Sequence, residues 1–66
     1  MRLWLNGEAI EEEGRSSLVD LLKRRGFPVD AVAVAVNGQV VPRRLHPSHT
    51  LVAEDRIEVI RAVGGG

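Results

Sequence analysis

The sequence predicts an α+β fold in which one helix packs across a mixed sheet of four or five strands. Alanine and valine alternate strictly over residues 31–36, as in a strand with one buried face. Leucines with helical spacing form one apolar stripe over residues 18–22. Two Asn-Gly dipeptides, at 6–7 and 37–38, mark two-residue hairpin turns. The predicted order is therefore a hairpin, a helix and then three strands.

The first hairpin is predicted from alternation around the first Asn-Gly pair. Over residues 1–6, Leu3 and Leu5 point to one face, while the residues between them point to the other. Asn6-Gly7 tolerates the positive φ of a type I′ turn, so the chain should return as a short strand over residues 8–13. The acidic end of this strand is expected to be solvated.

The helix is predicted over about residues 17–25 because both of its ends carry signals. Ser17 and Asp20 have the spacing of a capping box, and Gly26 suits the left-handed residue that follows a helix. Its leucine stripe is expected to pack on one face of the sheet. That face is predicted to carry Leu3, Leu5, Val32, Val34, Val36, Ile57 and Val59.

The second half of the chain is predicted to contain three strands. The strand over residues 31–36 turns at Asn37-Gly38 into a short strand over residues 39–41, which a proline ends. An irregular connection over residues 43–50 leads to a final strand over residues 56–63. The first and last strands are expected to pair side by side at the centre of the sheet.

Two histidines in the irregular connection do not indicate a metal site. His46 and His49 lie three residues apart, and zinc sites use three or four protein ligands. We therefore expect no metal and interpret both histidines as surface loop residues.

Length and composition limit the classes of function. The 66 residues make one domain, and the net charge of zero argues against a nucleic-acid partner. The two aromatic residues, Trp4 and Phe27, are too few for a base-stacking platform. No apolar run is long enough for a membrane span. The absence of cysteine excludes a disulfide framework and predicts a cytoplasmic protein.

The chain ends in three glycines directly after the final strand. We predict a domain over residues 1–63 and a flexible tail formed by Gly64, Gly65 and Gly66. Because glycine has no Cβ, such a tail fits a narrow channel and can deliver its carboxylate into the active site of another enzyme. A frayed end or a linker remnant would give the same three residues.

A second candidate site is the sheet face opposite the helix. Trp4 is predicted to point outward there, with Ile60 and Ala62 on the same face of a neighbouring strand. An exposed aromatic on a small domain can mark a binding patch, so these residues form a predicted docking face for partner proteins. The alternative is that Trp4 merely covers the sheet or packs on a long side chain such as that of Arg61.

Four segments carry a resemblance to a known family. The ThiS-type sulfur carrier proteins of thiamin biosynthesis, which have the ubiquitin-like β-grasp fold, resemble this chain over nearly its whole length. The segments are LWLNG at 3–7, SLVDLL at 17–22, VAVNGQVVPR at 34–43 and DRIEVIRAVGGG at 55–66. A Gly-Asp turn usually precedes the last strand in the family, whereas this chain has Glu54-Asp55, and Glu54 would be strained there if φ is positive.

The resemblance implies a protein cosubstrate rather than an enzyme. The Gly66 carboxylate would be adenylated by a ThiF-like E1-type adenylyltransferase, which uses ATP, and a persulfide protein would supply the sulfur of a C-terminal thiocarboxylate. A ThiG-like thiazole synthase would receive that sulfur. Gly64 and Gly65 would be recognised as the tail, and the chain would bind no cofactor of its own.

Other functions share parts of this pattern. The small subunit of molybdopterin synthase is also a β-grasp protein that ends in Gly-Gly, although it is typically longer. Carriers for other sulfur metabolites, a ubiquitin-like modifier and a non-catalytic β-grasp binding module also remain open at this point. A binding module differs from the others because it would not need a free glycine terminus.

Overall fold

A computed structural model describes residues 1–61, which form one α-helix packed on a five-stranded sheet. The elements are β1 (Arg2–Leu5), β2 (Glu8–Glu11), α1 (Leu18–Arg24), β3 (Val32–Val36), β4 (Gln39–Val41) and β5 (Arg56–Arg61). The sheet order is β2-β1-β5-β3-β4; β1 and β5 run parallel, and the other neighbouring strands run antiparallel. The predicted α+β class with a mixed sheet is confirmed, and the first and last strands pair as expected.

The core is one apolar layer between α1 and the sheet. Leu18, Leu21 and Leu22 of α1 are completely buried, as their helical spacing predicted. Leu5, which was also expected in the core, is only half-buried. The remaining buried apolar residues are Leu3, Val32, Val34, Val36, Val41, Leu51, Ile57 and Val59.

Both ends of α1 are capped by local hydrogen bonds. The Ser17 hydroxyl accepts from the backbone N–H of Asp20 at 3.1 Å, which satisfies one of the free donors of the first turn. At the other end Gly26 has φ +77°, and the N–H of Phe27 donates to the carbonyl of Leu22 at 2.9 Å. This geometry is that of a Schellman motif, so the predicted helix boundaries are confirmed.

The two Asn-Gly turns have the predicted left-handed backbone. Their φ values are +49° and +85° at Asn6-Gly7, and +53° and +82° at Asn37-Gly38. Positive φ at both central positions defines the type I′ turn, whose twist matches that of the strands it joins. The turns therefore fix the registers of the β1–β2 and β3–β4 hairpins.

Each turn asparagine also binds the backbone of β5. Asn6 donates its N–H to the carbonyl of Ile57 at 2.9 Å, and its Oδ1 accepts from the N–H of Val59 at 2.8 Å. Asn37 binds the other side of the strand, where its Oδ1 accepts from the N–H of Arg56 at 3.0 Å. The side chains thus extend the hydrogen bonding of β5 past the points where β1 and β3 turn away.

The connection between β4 and β5 corrects one prediction. It contains a short 3₁₀ helix, Arg43–Leu45, and the next residue, His46, is only 2% exposed. The Nε2 of His46 donates to the carbonyl of Val41 at 2.9 Å. The prediction that His46 is a surface residue is wrong, because its ring satisfies the last carbonyl of β4 inside the fold. His49 is half-buried.

The acidic end of the first hairpin is also less solvated than predicted. The side chain of Glu12 is 7% exposed, and its carboxylate binds Arg24 at 2.9 Å and Arg25 at 2.6 Å. Both arginines lie at the C-terminal end of α1, where positive charge also suits the helix dipole. Glu12 therefore ties the end of the helix to the chain that follows β2.

A strained turn leads into β5. Glu54 has φ +71°, a region that residues with a Cβ rarely occupy, so the expected strain is present. Its carboxylate accepts two hydrogen bonds of 3.0 Å from the Arg2 guanidinium and a longer one, 3.4 Å, from the indole of Trp4. Hydrogen bonding to Arg2 holds the pKa of Glu54 below its ordinary value.

Replacing either turn asparagine by glycine tests its hold on β5. Asn6→Gly keeps the residue's tolerance for positive φ but leaves the buried N–H of Val59 without its acceptor, so we expect a loss of about 1–3 kcal/mol in the free energy of unfolding. Asn6→Asp keeps an acceptor oxygen and is the matched control. Urea denaturation measures both, and equal stability of Asn6→Gly and wild type would contradict the assignment.

The shifted pKa of Glu54 predicts a pH-dependent contribution to stability. Because the folded pKa is depressed, the folded state holds fewer protons than the unfolded chain just below pH 4.5, the ordinary value, and stability falls as the pH is lowered there. We expect wild type to be more stable than Glu54→Gln at neutral pH, and the difference to close as the pH falls through the folded pKa. Urea unfolding followed by the fluorescence of Trp4 measures this difference. A difference that does not change with pH would contradict the prediction.

Candidate functional site

The predicted sulfur-attachment site follows the last described residue of the central strand. Gly64, Gly65 and Gly66, together with Ala62 of the predicted docking face, lie outside the described residues. Five residues follow Arg61, and an extended chain of that length spans at most about 17 Å. The end of β5 therefore determines the region that the terminal carboxylate can reach.

The strand that carries the tail is held along both sides. On one side β5 bonds to β1 and to Asn6, as far as Val59. On the other side it pairs with β3 as far as Arg61, which lies opposite Val32. This central position gives the tail a rigid base, because displacing the strand would break two ladders of hydrogen bonds.

The sheet face away from α1, which we call the open face, carries an apolar strip near the end of β5. Ile60 lies opposite Ala33 on β3, and Val40 of β4 lies opposite Ala35, so these four residues share the open face. Ile60 is 62% exposed and Val40 is 76% exposed. Ile60 and Val40 lie on strands that flank β3, and together with the alanines of β3 they make this part of the open face apolar.

Trp4 lies on the same open face but not beside Ile60. Its register partner on β5 is Arg56, and Ile60 lies four residues farther along the strand, a distance of about 13 Å. Trp4 therefore marks one end of the open face and the apolar strip marks the other. The alternation in the sequence correctly predicted that Trp4 and Ile60 share one face of the sheet. Their separation along β5 could be determined only from the register of β1 and β5.

Charged groups surround the Trp4 ring. The guanidinium carbons of Arg2 and Arg56 lie 5.5 and 5.8 Å from the ring centroid, within the range of cation–π attraction. The Glu54 carboxylate binds both Arg2 and the indole N–H. Trp4 is thus half-buried by long polar side chains, and these four residues form what we call the tryptophan cluster.

The alternative interpretation of Trp4 placed its ring against a long side chain such as that of Arg61. In the structure Arg61 packs elsewhere. Its guanidinium carbon lies 5.4 Å from the ring centroid of Phe27, on the helix side of the sheet. The period of two along β5 explains the difference, since Arg61 follows the buried Ile57 and Val59 rather than the exposed Ile60. The arginines that do cover Trp4 come from its own strand and from the start of β5.

Several residues of this region were missing from the sequence-based site, among them Val40, Arg56 and Phe27. Val40 was expected only as part of a short strand, and its place on the open face depends on the β3–β4 register. Arg56 and Phe27 each meet a distant aromatic or cationic partner across the fold. The alternation around Asn37-Gly38 does contain the signal for Val40, because a two-residue turn fixes which residues lie opposite each other.

Other kinds of site are not found in the part of the chain that the structure describes. Within residues 1–61, no three or more histidine, aspartate or glutamate side chains cluster in a way that could hold a metal ion. Over the same residues, no helix is both long and apolar enough to cross a membrane.

Comparisons with known proteins agree with this geometry. The ThiS family model matches residues 3–66. The crystal structure of the thiamine biosynthesis protein ThiS from Geobacter metallireducens superimposes with a TM-score of 0.86, at 28% identity over the whole of both chains. The ycf40 protein of Porphyra purpurea is 34% identical over 62 residues, which cover 94% of this chain and 87% of the algal protein.

A longer relative contains a similar stretch of sequence as one part. A thiazole synthase of Magnetococcus marinus is 39% identical over 66 residues, which is all of this chain but 20% of that protein's length. The likeness to full-length ThiS confirms the predicted β-grasp fold, with five strands and one helix. Since the family model covers nearly every residue, the chain belongs to the ThiS family, the sulfur carriers of thiamin biosynthesis.

Proposed function

We propose that the Gly66 carboxylate is the group on which this chain carries sulfur. The carboxylate oxygen attacks the α-phosphorus of ATP in a ThiF-like E1-type adenylyltransferase, and pyrophosphate leaves. The terminal sulfur of a persulfide then attacks the acyl carbon, and AMP leaves. This produces an acyl disulfide between the chain and the donor. A thiol then attacks the donor's sulfur, so the S–S bond breaks, the thiocarboxylate leaves, and the thiol and the donor are left joined as a disulfide. The observation that carries the proposal is the glycine tail that directly follows the central strand of a ThiS fold.

Elementary chemistry supports this division of labour. A free carboxylate is a poor acyl donor, so adenylation is needed to supply a leaving group. Gly64 and Gly65 add no side chain, which lets the tail lie extended in a narrow partner channel. The chain contributes the acyl group and binds no cofactor, and the partner enzymes contribute the ATP site and the catalytic groups. A cytoplasmic location suits this exchange, because reducing conditions keep free thiols available to release the thiocarboxylate.

The proposed acceptor is a ThiG-like thiazole synthase. The Magnetococcus thiazole synthase includes a stretch similar to this whole chain, which supports a functional link between the two activities. Thiazole formation is accordingly favoured over molybdopterin synthesis as the use of the sulfur. The ThiF-like enzyme and the persulfide donor are proposed from the membership of the ThiS family.

The open face is the proposed docking surface for these partners. It includes the predicted residues Trp4 and Ile60, and the structure adds Val40, whereas the predicted Ala62 lies outside the described residues. The apolar strip lies near the end of β5, so a partner that covers it is well placed to receive the tail. Trp4 with its arginines supplies a polar margin about 13 Å along β5 from Ile60.

Intact mass spectrometry tests the chemistry at Gly66. After incubation with ATP, a ThiF-like enzyme and a persulfide source, we expect a mass gain equal to the replacement of one oxygen by sulfur, mapped to the terminal peptide. A chain with one alanine added after Gly66 is the matched control and should stay unmodified. An unmodified wild type, in the presence of an enzyme that modifies its own carrier, would contradict the proposal.

Substitutions on the apolar strip test the docking surface. Val40→Ser and Ile60→Ser each remove exposed apolar area that a partner would bury, so we expect KM for the carrier in adenylation to rise by roughly tenfold at most, with kcat unchanged. Trp4→Ala tests the other end of the surface. Val52→Ser is the matched control, because Val52 is 59% exposed in the loop before β5. Equal KM values for all four variants and wild type would contradict the assignment.

A further inference from the structure

The last described residues of β5 are held differently from the rest of the strand. On the β1 side, hydrogen bonding reaches Val59, because β1 turns away at Asn6-Gly7. On the β3 side, pairing continues to Arg61 opposite Val32. Within the described residues, the end of β5 therefore pairs only with β3. The direction in which the chain continues then depends on the other contacts of Arg61.

Phe27 provides that second hold. Arg61 continues the buried row of Ile57 and Val59, so its side chain lies over the rim of the core on the helix side. There its guanidinium carbon is 5.4 Å from the Phe27 ring centroid. A cation over an aromatic face at this distance is attracted by the ring quadrupole.

Phe27 is itself fixed by the end of α1. Gly26, at φ +77°, donates its N–H to the carbonyl of Lys23, and the N–H of Phe27 donates to the carbonyl of Leu22. The Phe27 ring also packs partly against the core. The helix C-cap and the core therefore fix the position of the Phe27 ring.

We infer that Phe27 and Arg61 are positioning residues that set the direction in which the glycine tail leaves the domain. The inference rests on the function proposed above, and it concerns presentation of the tail rather than the acyl chemistry. Holding Arg61 fixes the point from which the tail begins. A larger fraction of molecules then points the carboxylate toward a partner docked on the sheet, and apparent affinity scales with that fraction.

A double-mutant cycle tests this inference. Phe27→Leu keeps an apolar side chain but removes the aromatic face, and Arg61→Gln keeps length but removes the charge. Each should raise KM for the carrier in adenylation roughly two- to fivefold, the scale of an exposed cation–π contact, with kcat unchanged. KM of the double variant should be no higher than KM of the single variant with the larger effect, because both substitutions remove the same contact.

Two further measurements separate positioning from loss of charge or of fold. Arg44→Gln removes a charge from the exposed 3₁₀ helix and should leave KM unchanged. Hydrogen exchange at the amide of Ile60, which points toward β3, is measured by NMR and should accelerate about two- to fivefold in Phe27→Leu while exchange in α1 stays constant. The exchange measurement needs no partner enzyme.

The outcomes are distinct. Unchanged KM in both single variants would overturn the inference and leave the proposed function standing. Multiplying effects in the double variant would also overturn it, because they would show that the two residues act on the partner independently. A wild-type chain that is never adenylated would overturn the proposed function, and with it the role of the contact, whatever the amide exchange shows.

Discussion

The fold depends on the hydrogen bonding of β5 at the centre of the sheet. The strand lies between β1 and β3, and it brings together two hairpins that are far apart in sequence. Each hairpin ends in an Asn-Gly turn whose asparagine binds the β5 backbone, Asn6 on one side and Asn37 on the other. The residues that shape the turns therefore also fasten the hairpins to their common neighbour, which couples local chain reversal to long-range assembly.

A single helix on a five-stranded sheet covers only one of its faces. The covered face is satisfied by the leucines of α1, whereas the open face presents Ile60 and Val40 to solvent. Exposed aliphatic side chains add little to the stability of the isolated domain, and they raise the risk of nonspecific association. In the function proposed above, a partner covers these side chains while it receives the carboxylate.

Local signals in the sequence predicted most of the fold, and long-range contacts account for what they missed. Turn chemistry, capping residues and the alternation of Val32 to Val36 depend on neighbours within a few residues, so they can be read directly. At Glu54 the comparison with the family's usual Gly-Asp turn left either a different turn or backbone strain, and the φ of +71° shows that the backbone is strained. The burial of His46 and the contact of Arg61 with Phe27 depend on pairings that the sequence does not encode locally.

A rigid base is what makes a glycine tail usable. Glycine loses more conformational freedom than any other residue when it is ordered, so threading Gly64 to Gly66 into a channel opposes binding. That cost grows with every additional residue that must be ordered at the same time. Because β5 is bonded on both sides as far as Val59, and Arg61 pairs opposite Val32 and contacts Phe27, the domain itself orders the chain as far as Arg61. The ordering of β5 within the domain lowers the conformational entropy that is lost when a partner binds the tail.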